Sequence, residues 1–474
     1  MALVINTNIA SLNAQNNLNA SQNQLDNAIA QLSSGLKINS PADNPAGYAI
    51  AQRMTSQVNG YTQAQSNAND GISFAQVANG ALQTVTDSLQ SIRTLAVQSS
   101  NATNSAQDRQ ALNSEVQQAI AQINTTAQET QFNGQSILNG SLTSLVFQVG
   151  ANAGQTISAQ GLDVRGQNLG ATYGDGSSVF SGTLSAATSG SFTIAGNTGS
   201  ATVGTTAGES LSDVVAGINN VSSQTGVYAQ LASSVSGTLA YSAPTASGTI
   251  TVNGVTISVA SGATADQVAN AINGYTTQTG VTATSGASGI TLSDSSGASI
   301  SFSSSGGVSG TTYASGSTAA AGSSGTFSAG IELYTSVGGS ITVSGANSEL
   351  ATYGLAASGS ATSNTFDSNT LTLNGTNVLT YANAQKAITA MDFALTQLSR
   401  LGGQLGALQS RFQSTISNLQ SASQNTQAAR SRIQDTNFAS ATAQLSRAQI
   451  LQQAGVAMVA QANSQPQVAL SLLK

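Results

Sequence analysis

Apolar residues recur at heptad spacing at both ends of this chain, with almost no charge around them. Leu18, Leu25 and Leu32 fall every seventh residue, with Ile29 beside them and Ile5, Ile9 and Leu12 leading in. A repeat of seven held over several turns is a coiled-coil seam. Near the other end, Leu445, Ala448, Leu451, Gly455, Met458 and Ala462 step by three or four, the spacing of one helical face. The rest of that segment is mostly Gln, Ser and Ala, and the chain closes on Leu470, Leu472 and Leu473. Such a helix is poorly soluble alone and requires a partner helix. The two ends therefore read as two halves of one helical device, separated by a long stretch of different composition.

That composition excludes most chemistry. Charged residues make up 6% of the 474, against about 25% in an ordinary soluble domain. The formal net charge is −6 and no basic cluster exists, so nucleic acid is not an expected partner. Cys, His and Trp are absent. Their absence removes disulfides, thiol nucleophiles, imidazole bases and most transition-metal sites. No acidic set has the spacing of a calcium loop, and the Gly-rich stretches lack the Lys-Ser/Thr of a phosphate loop. No cofactor, metal or catalytic group is expected. Asp43 with Asn44 reads as loop and cap chemistry. No apolar run approaches the roughly 20 residues of a membrane span. The first basic residue is Lys37, so no charged n-region of a secretory signal is visible, and composition alone points to the cytoplasm.

Along the chain, residues 1 to about 34 read as a helix ending near Gly35. Asn44 and Pro45 form a helix start, an N-cap followed by proline at the first helical position. A second helix is expected from Pro45 to about Val58. A third follows Asp70 with Leu82, Val85, Leu89, Ile92 and Leu95 on one face, and a fourth carries Leu112, Val116, Ile120 and Ile123. Leu145–Gln148 and Thr156–Ser158 then flank a Gly-Ala-Asn-Ala-Gly stretch and read as a β-hairpin. From about 160 to 375 the chain is rich in Gly, Ser and Thr, with strand-like segments such as Gly248–Val259. Between Arg165 and Lys386 it has no basic residue. An internal repeat argues against a disordered linker. Ile218-Asn219 followed by Gln224-Thr225-Gly226-Val227 recurs as Ile272-Asn273 followed by Gln278-Thr279-Gly280-Val281. A short helical pattern precedes each copy, Leu211–Ile218 and Ala265–Ile272, so each reads as a small strand–helix–strand module. Helical periodicity returns at Ala382 with Ile388, Met391, Leu395, Leu398, Leu405, Phe412, Ile416 and Leu419.

These segments resemble flagellin, the subunit of the bacterial flagellar filament. At the start the resemblance rests on MALVINTNIASLNAQNNL and on QLSSGLKINSPADNPAGYAIA, Gln31–Ala51. It continues in NANDGIS (Asn67–Ser73), LAVQSSNATNS (Leu95–Ser105), QFNG (Gln131–Gly134) and FQVGANAGQTI (Phe147–Ile157). Toward the end it includes LGALQSRF (Leu405–Phe412), ARSRIQDTNFA (Ala429–Ala439) and SRAQILQQAG (Ser446–Gly455). It covers roughly residues 1 to 175 and 380 to 474, and the middle does not carry it.

The resemblance implies an α+β multidomain fold. Long terminal helices form coiled-coil inner domains, and a β-rich, Gly/Ser/Thr-rich outer insertion contains the repeated modules. The expected divisions are 1–44, pairing with 435–474 as the inner coiled coil; 45–175, completed by 376–434, as a helical wall with its hairpin; and 176–375 as the variable outer part. Inner packing is expected from Ile5, Ile9, Leu12, Leu18, Leu25, Leu32, Leu445, Leu451, Met458, Leu470 and Leu473. The implied function is a self-assembling, non-enzymatic filament subunit, exported through the flagellar type III channel without a cleaved signal and located outside the cell. A hook–filament junction or cap protein of the same export class is the alternative; SRAQILQQAG and the closing ALSLLK favour the filament subunit. Implied partners are further copies of the chain, an export chaperone, filament cap and hook-associated proteins, and innate immune receptors. Gln90, Leu95 and Glu115 match contact positions for a Toll-like receptor, whereas Ser91 stands where Arg is usual. In the segment read by plant receptors, Pro41, Asn44 and Pro45 depart from the usual pattern. Some flagellins carry a zinc protease motif in the outer part, which a chain without His cannot. The Ser/Thr-rich outer segments offer hydroxyls for O-linked sugars.

Overall fold

The computed structural model describes residues 8–176, 179–180, 189–239, 241–286, 289–306, 324–346, 350, 353–355, 363–365 and 369–471. Two compact units emerge. One comprises Met1–Ser73, Val146–Ala159 and Leu408–Lys474; the other comprises Phe74–Leu145 and Gln160–Ala407.

Helix α1 spans Ile9–Ser34 and stops at Gly35, whose φ of 70° is the left-handed conformation that glycine adopts without penalty. Helix α2 starts at Pro45, where the Asn44 side chain accepts from the Gly47 amide at 2.9 Å, the expected cap. It then runs unbroken to Ser99, so the two helices expected at Pro45–Val58 and beyond Asp70 are one. The expectation left residues 59–70 as a gap between two helices, and Gly60 and Gly71 lie at its two ends. They are close-approach positions instead. A Cβ on Gly60 would lie 2.8 Å from the Ala151 Cβ, and one on Gly71 would overlap the Phe412 ring. Each helical glycine costs about 0.5–1 kcal/mol relative to alanine, which tight packing offsets. Helix α3, Ala106–Glu129, opens on a capping box in which the Asp108 amide donates to Ser105 Oγ (3.2 Å) and the Ser105 amide donates to Asp108 (2.9 Å).

Short strands β1 (Gln131–Phe132) and β2 (Gln135–Ser136) pair around Asn133, and β3 (Ser144–Gln148) and β4 (Thr156–Gln160) form the expected hairpin. Strands β5 (Gly170–Asp175), β6 (Val179–Phe180), β7 (Gly190–Ala195) and β8 (Ser200–Thr205) lead to helix α4 (Leu211–Asn220), a single turn α5 (Ser222–Thr225), and strands β9 (Tyr228–Leu231) and β10 (Val235–Leu239). The pattern repeats as β11 (Gly248–Val252), β12 (Val255–Val259), α6 (Ala265–Asn273), α7 (Thr276–Thr279), β13 (Thr282–Gly286) and β14 (Gly289–Asp294). Strands β15 (Ile300–Gly306), β16 (Ser324–Ser328), β17 (Ile331–Ser336), β18 (Thr342–Gly345), β19 (Ser363–Thr365) and β20 (Asn369–Thr372) follow. Helices α8 (Tyr381–Gln434) and α9 (Phe438–Ser471) complete the chain.

The two repeat copies are nested rather than placed end to end. In the second copy β13 pairs directly with β14, Gly286 opposite Gly289. The equivalent strand of the first copy, β9, pairs instead with the distant β17, Leu231 opposite Ile331. Everything between Leu231 and Ile331 is therefore inserted at one hairpin turn. The cores obey the same division. Val235, Ile250, Val259, Ile272, Ile290, Phe302 and Phe327 belong to one buried cluster. Phe192, Val214, Ile218 and Val227 join Leu333, Val343, Tyr353 and Leu355 in another. In each copy an Asn after the helix ties it to the following strand: Asn219 bonds both backbone groups of Ala229, and Asn273 both of Ala283, at 2.7–2.9 Å.

Candidate assembly interface

Helices α1 and α9 pack antiparallel, on seven-residue repeats in both. Along α1 the facing positions are Ser11, Ala14, Leu18, Leu25, Ala28 and Leu32, and along α9 they are Ala441, Leu445, Ala448, Gln452, Gly455, Val459 and Ala462, all buried or half-buried. The α9 side carries a ladder of small residues, Ala441, Ala448, Gly455 and Ala462. It lets the backbones approach: a Cβ on Gly455 would lie 3.1 Å from Leu18 Cδ1. Uncharged polar groups fix the register. Asn8 Nδ2 donates to the Ala462 carbonyl (2.7 Å), Ser11 Oγ to Asn463 Oδ1 (2.6 Å), and Gln452 Nε2 to Gln22 Oε1 (2.6 Å). Neutral pairs avoid the desolvation cost that buried ions would carry.

The two helix breaks on either side of this pair are stitched together. The Thr436 amide donates to the Gly35 carbonyl at 2.9 Å, the Lys37 amide donates to the Gln434 carbonyl at 2.6 Å, and Leu36 bridges Asp435. The Asp43 carboxylate organises the loop by accepting from the amides of Asn39 (2.9 Å) and Ser40 (2.8 Å). The Ser40 amide, then the Asn39 amide, hold its pKa below the ordinary value of 3.8.

The same unit has a second contact between α2, the hairpin and α8. Phe412 is fully buried, packs edge-to-face on Phe147 at 5.3 Å, and sits with Ala68, Val149, Ile157 and Ile416. Asn67 Nδ2 donates to the Gln148 carbonyl at 2.8 Å, which aligns the hairpin on the helix.

The sequence-selected residues divide among seam, surface and undescribed positions. Leu25 is buried, and Leu18, Leu32 and Leu445 are half-buried in the seam. Ile9, Leu12, Leu451 and Met458 lie outside it, Ile9 and Met458 each 61% exposed. Ile450 and Val456 are also exposed, on other faces of α9, and Ile29 is exposed on α1. The Leu451–Met458 spacing looked continuous with the small-residue ladder because both step through the same turns. The signal that separates them is the recurrence of Ala or Gly every seventh residue. Ile5, Leu473 and the side chain of Leu470 lie outside the described residues. Gln90 on α2 and Glu115 on α3 are exposed, and Leu95 is half-buried. Among the described residues no group of three or more acidic side chains is placed to hold a metal ion, and no helix is long and apolar enough to cross a membrane.

Comparison with known proteins places these elements. A bacterial flagellin N-terminal helical region matches residues 5–143, and a bacterial flagellin C-terminal helical region matches residues 388–473. A flagellin hook IN motif matches twice, at 191–243 and 245–296. The first match thus runs past β10, a strand whose Val235 and Leu239 contribute to the inner core. The B-type flagellin of Pseudomonas aeruginosa is 36% identical over 501 residues, and the flagellin of Salmonella typhimurium 35% over 502, each alignment covering all of both chains. The solved structure of FliC from Burkholderia pseudomallei, 22% identical, covers 72% of this chain and 99% of its own, with a TM-score of 0.33.

Proposed function

This chain belongs to the bacterial flagellin family, and from that premise we propose that it is the repeating subunit of a swimming filament, polymerised through the α1–α9 helix pair. Flagellin is a structural filament protein and not an enzyme, and its homologues form the extracellular flagellar filament. The observation that supports this assembly route is the apolar stripe of Leu451 and Met458, with Ile450 and Val456 exposed on other faces of α9, all of which a single copy leaves in water. Apolar surface of this kind gains about 25 cal/mol per Å² when a neighbour covers it. In this reading 1–44 with 435–474 forms the inner tube, 45–175 with 376–434 the wall, and 176–375 the outer part. The exposed hydrophobic side chains of the stripe are then inter-subunit contacts, joined by Ile9 and Leu12. Before assembly the same stripe suits an export chaperone, which would shield it. Filament cap and hook-associated proteins would meet this helix pair at the filament ends. Gln90, Leu95 and Glu115 are offered as immune-receptor contacts on the free subunit.

The test is Met458→Glu combined with Leu451→Gln. Circular dichroism of the free chain should be unchanged, because neither side chain lies in the seam, and electron microscopy should find no filaments. Normal filaments from the doubly substituted chain would contradict this assignment of the stripe.

A further inference from the structure

The inserted inner module ends its five-stranded sheet on β12, and among the described residues no further strand pairs with that edge. The hairpin turn Asn253-Gly254 has φ of 46° and 83°, the two-residue type that makes its flanking pair a hydrogen-bonded one. Val255, Ile257 and Val259 consequently exchange their backbone bonds with β11, where they oppose Val252, Ile250 and Gly248. The amides and carbonyls of Thr256 and Ser258 point the other way, and among the described residues they meet no backbone partner. Soluble proteins blunt such edges with lysine, proline or a bulge. Here the chain has no basic residue between Arg165 and Lys386, and β12 has neither charge nor proline.

The strand is also symmetric in sequence. Val255-Thr256-Ile257-Ser258-Val259 reads Val-Thr/Ser-Ile-Ser/Thr-Val from either end. A second β12 laid antiparallel about Ile257 places Val255 against Val259 and Thr256 against Ser258. Thr256 and Ser258 are the residues whose backbone groups lack a backbone partner among the described residues, so each would exchange both bonds with its opposite number. The faces match as well. Ile257 and Val259 are buried on the core side. Thr256 and Ser258 are exposed on the other side, which continues as hydroxyls: Thr249 and Thr251 on β11, Ser303 and Ser305 on β15. Those hydroxyls already bond across strands, Thr249 to Ser305 at 2.7 Å and Thr251 to Thr256 at 3.2 Å. In the outer copy, the equivalent edge strand β8 reads Ser-Ala-Thr-Val-Gly-Thr and has no such symmetry.

We propose that β12 is a self-pairing edge whose partner is β12 of a second copy of this chain, the two sheets joining into one. The contact is isologous. Subunits along a polar helical filament all point the same way, so a two-fold pair between neighbours is excluded within one regular filament. Resting on the filament reading above, the pairing then links outer modules of two neighbouring filaments. One such edge contact is weak, but a filament presents many at once, and multivalency turns weak contacts into stable lateral association.

The full chain has no cysteine, so Thr256→Cys with Ser258→Cys provides a clean probe. Opposed hydrogen-bonded residues sit about 5.5 Å apart at Cα, within disulfide reach. Mild oxidation of the soluble chain should give a covalent dimer linked 256 to 258, identified by peptide mapping. The control is Thr282→Cys with Thr284→Cys on β13, the edge of another sheet, which should yield several-fold less dimer. On filaments, Thr256→Pro and Ser258→Lys should leave length and number unchanged and abolish side-by-side association seen with the unaltered chain. Equal crosslinking of both cysteine pairs, or lateral association that persists in both edge variants, would overturn the proposal. Because the crosslink is read on soluble chain, its failure would leave the filament assignment standing.

Discussion

The terminal helix pair and the inserted inner module are opposite solutions to the same shortage of charge. The inner module closes its apolar surface within itself: Val235, Val252, Ile272, Val281 and Ile300 are fully buried, and hydroxyls cover the outside. The α1–α9 pair buries one stripe with small residues and leaves the large apolar side chains of Ile450, Leu451, Val456 and Met458 uncovered. One region is complete as a single copy; the other is half of an interface. The difference shows why the ends carry a strict heptad with alanine and glycine, whereas the middle needs only alternation.

Substitutions should separate the two regions. The largest effect is expected for Phe302→Ala in the inner core, where deleting a buried aromatic costs about 3–5 kcal/mol. Calorimetry of the free chain should show one transition shifted downward while filaments still assemble; loss of filaments would mean that the inner module is not independent. Gly455→Leu tests the other region. The added side chain meets Leu18, and overpacking costs about 1–3 kcal/mol. Filament formation should fail while the inner transition stays in place.

A smaller effect is expected from removing residues 232–330 and joining Leu231 to Ile331 through Asn-Gly. In the second copy the equivalent pair, Gly286 and Gly289, is separated by the same number of residues. Hairpins joined by Asn-Gly suit such a turn. The shortened chain should keep the outer core of Phe192, Ile218 and Leu333, read as an unchanged thermal midpoint for that transition. A large drop would show that the insertion supports its host.

The smallest effects are at the caps. Ser105→Ala should cost about 0.5–2 kcal/mol through loss of the α3 cap. Asp43 and Asp108 both have pKa values lowered from 3.8, the first by the Ser40 and Asn39 amides and the second by the Ser105 hydroxyl and amide. A depressed carboxylate contributes stability above its unfolded value, and that contribution fades as pH falls below 3.8 through the lower folded values. Asp43→Asn should therefore lower the stability of the free chain at neutral pH and flatten its acid unfolding in that range, because the contribution lost on acidification is already absent.

Much of this was legible in the sequence. Heptads, the Gly35 stop, the Asn44-Pro45 start, the hairpin at 145–158 and the helices of both repeats are local signals, and the structure contains each of them. What was not legible depends on distant partners. Gly60 and Gly71 look like breaks until Ala151 and Phe412 are seen against them. The nesting of the repeats is set by β9 choosing β17 over the nearer β10, which no local pattern encodes. Leu451 and Met458 shared helical spacing with the seam, and only the seven-residue recurrence of Ala441, Ala448, Gly455 and Ala462 marks the face that meets α1.

Amide hydrogen exchange on free chain and on filaments tests the central claim most directly. The account predicts that α1 and α9 exchange quickly in the free chain and slow strongly on assembly, whereas the inner core strands β11, β14 and β15 are equally protected in both. Equal protection of α1 and α9 in the two states, or inner strands that become protected only in filaments, would contradict it.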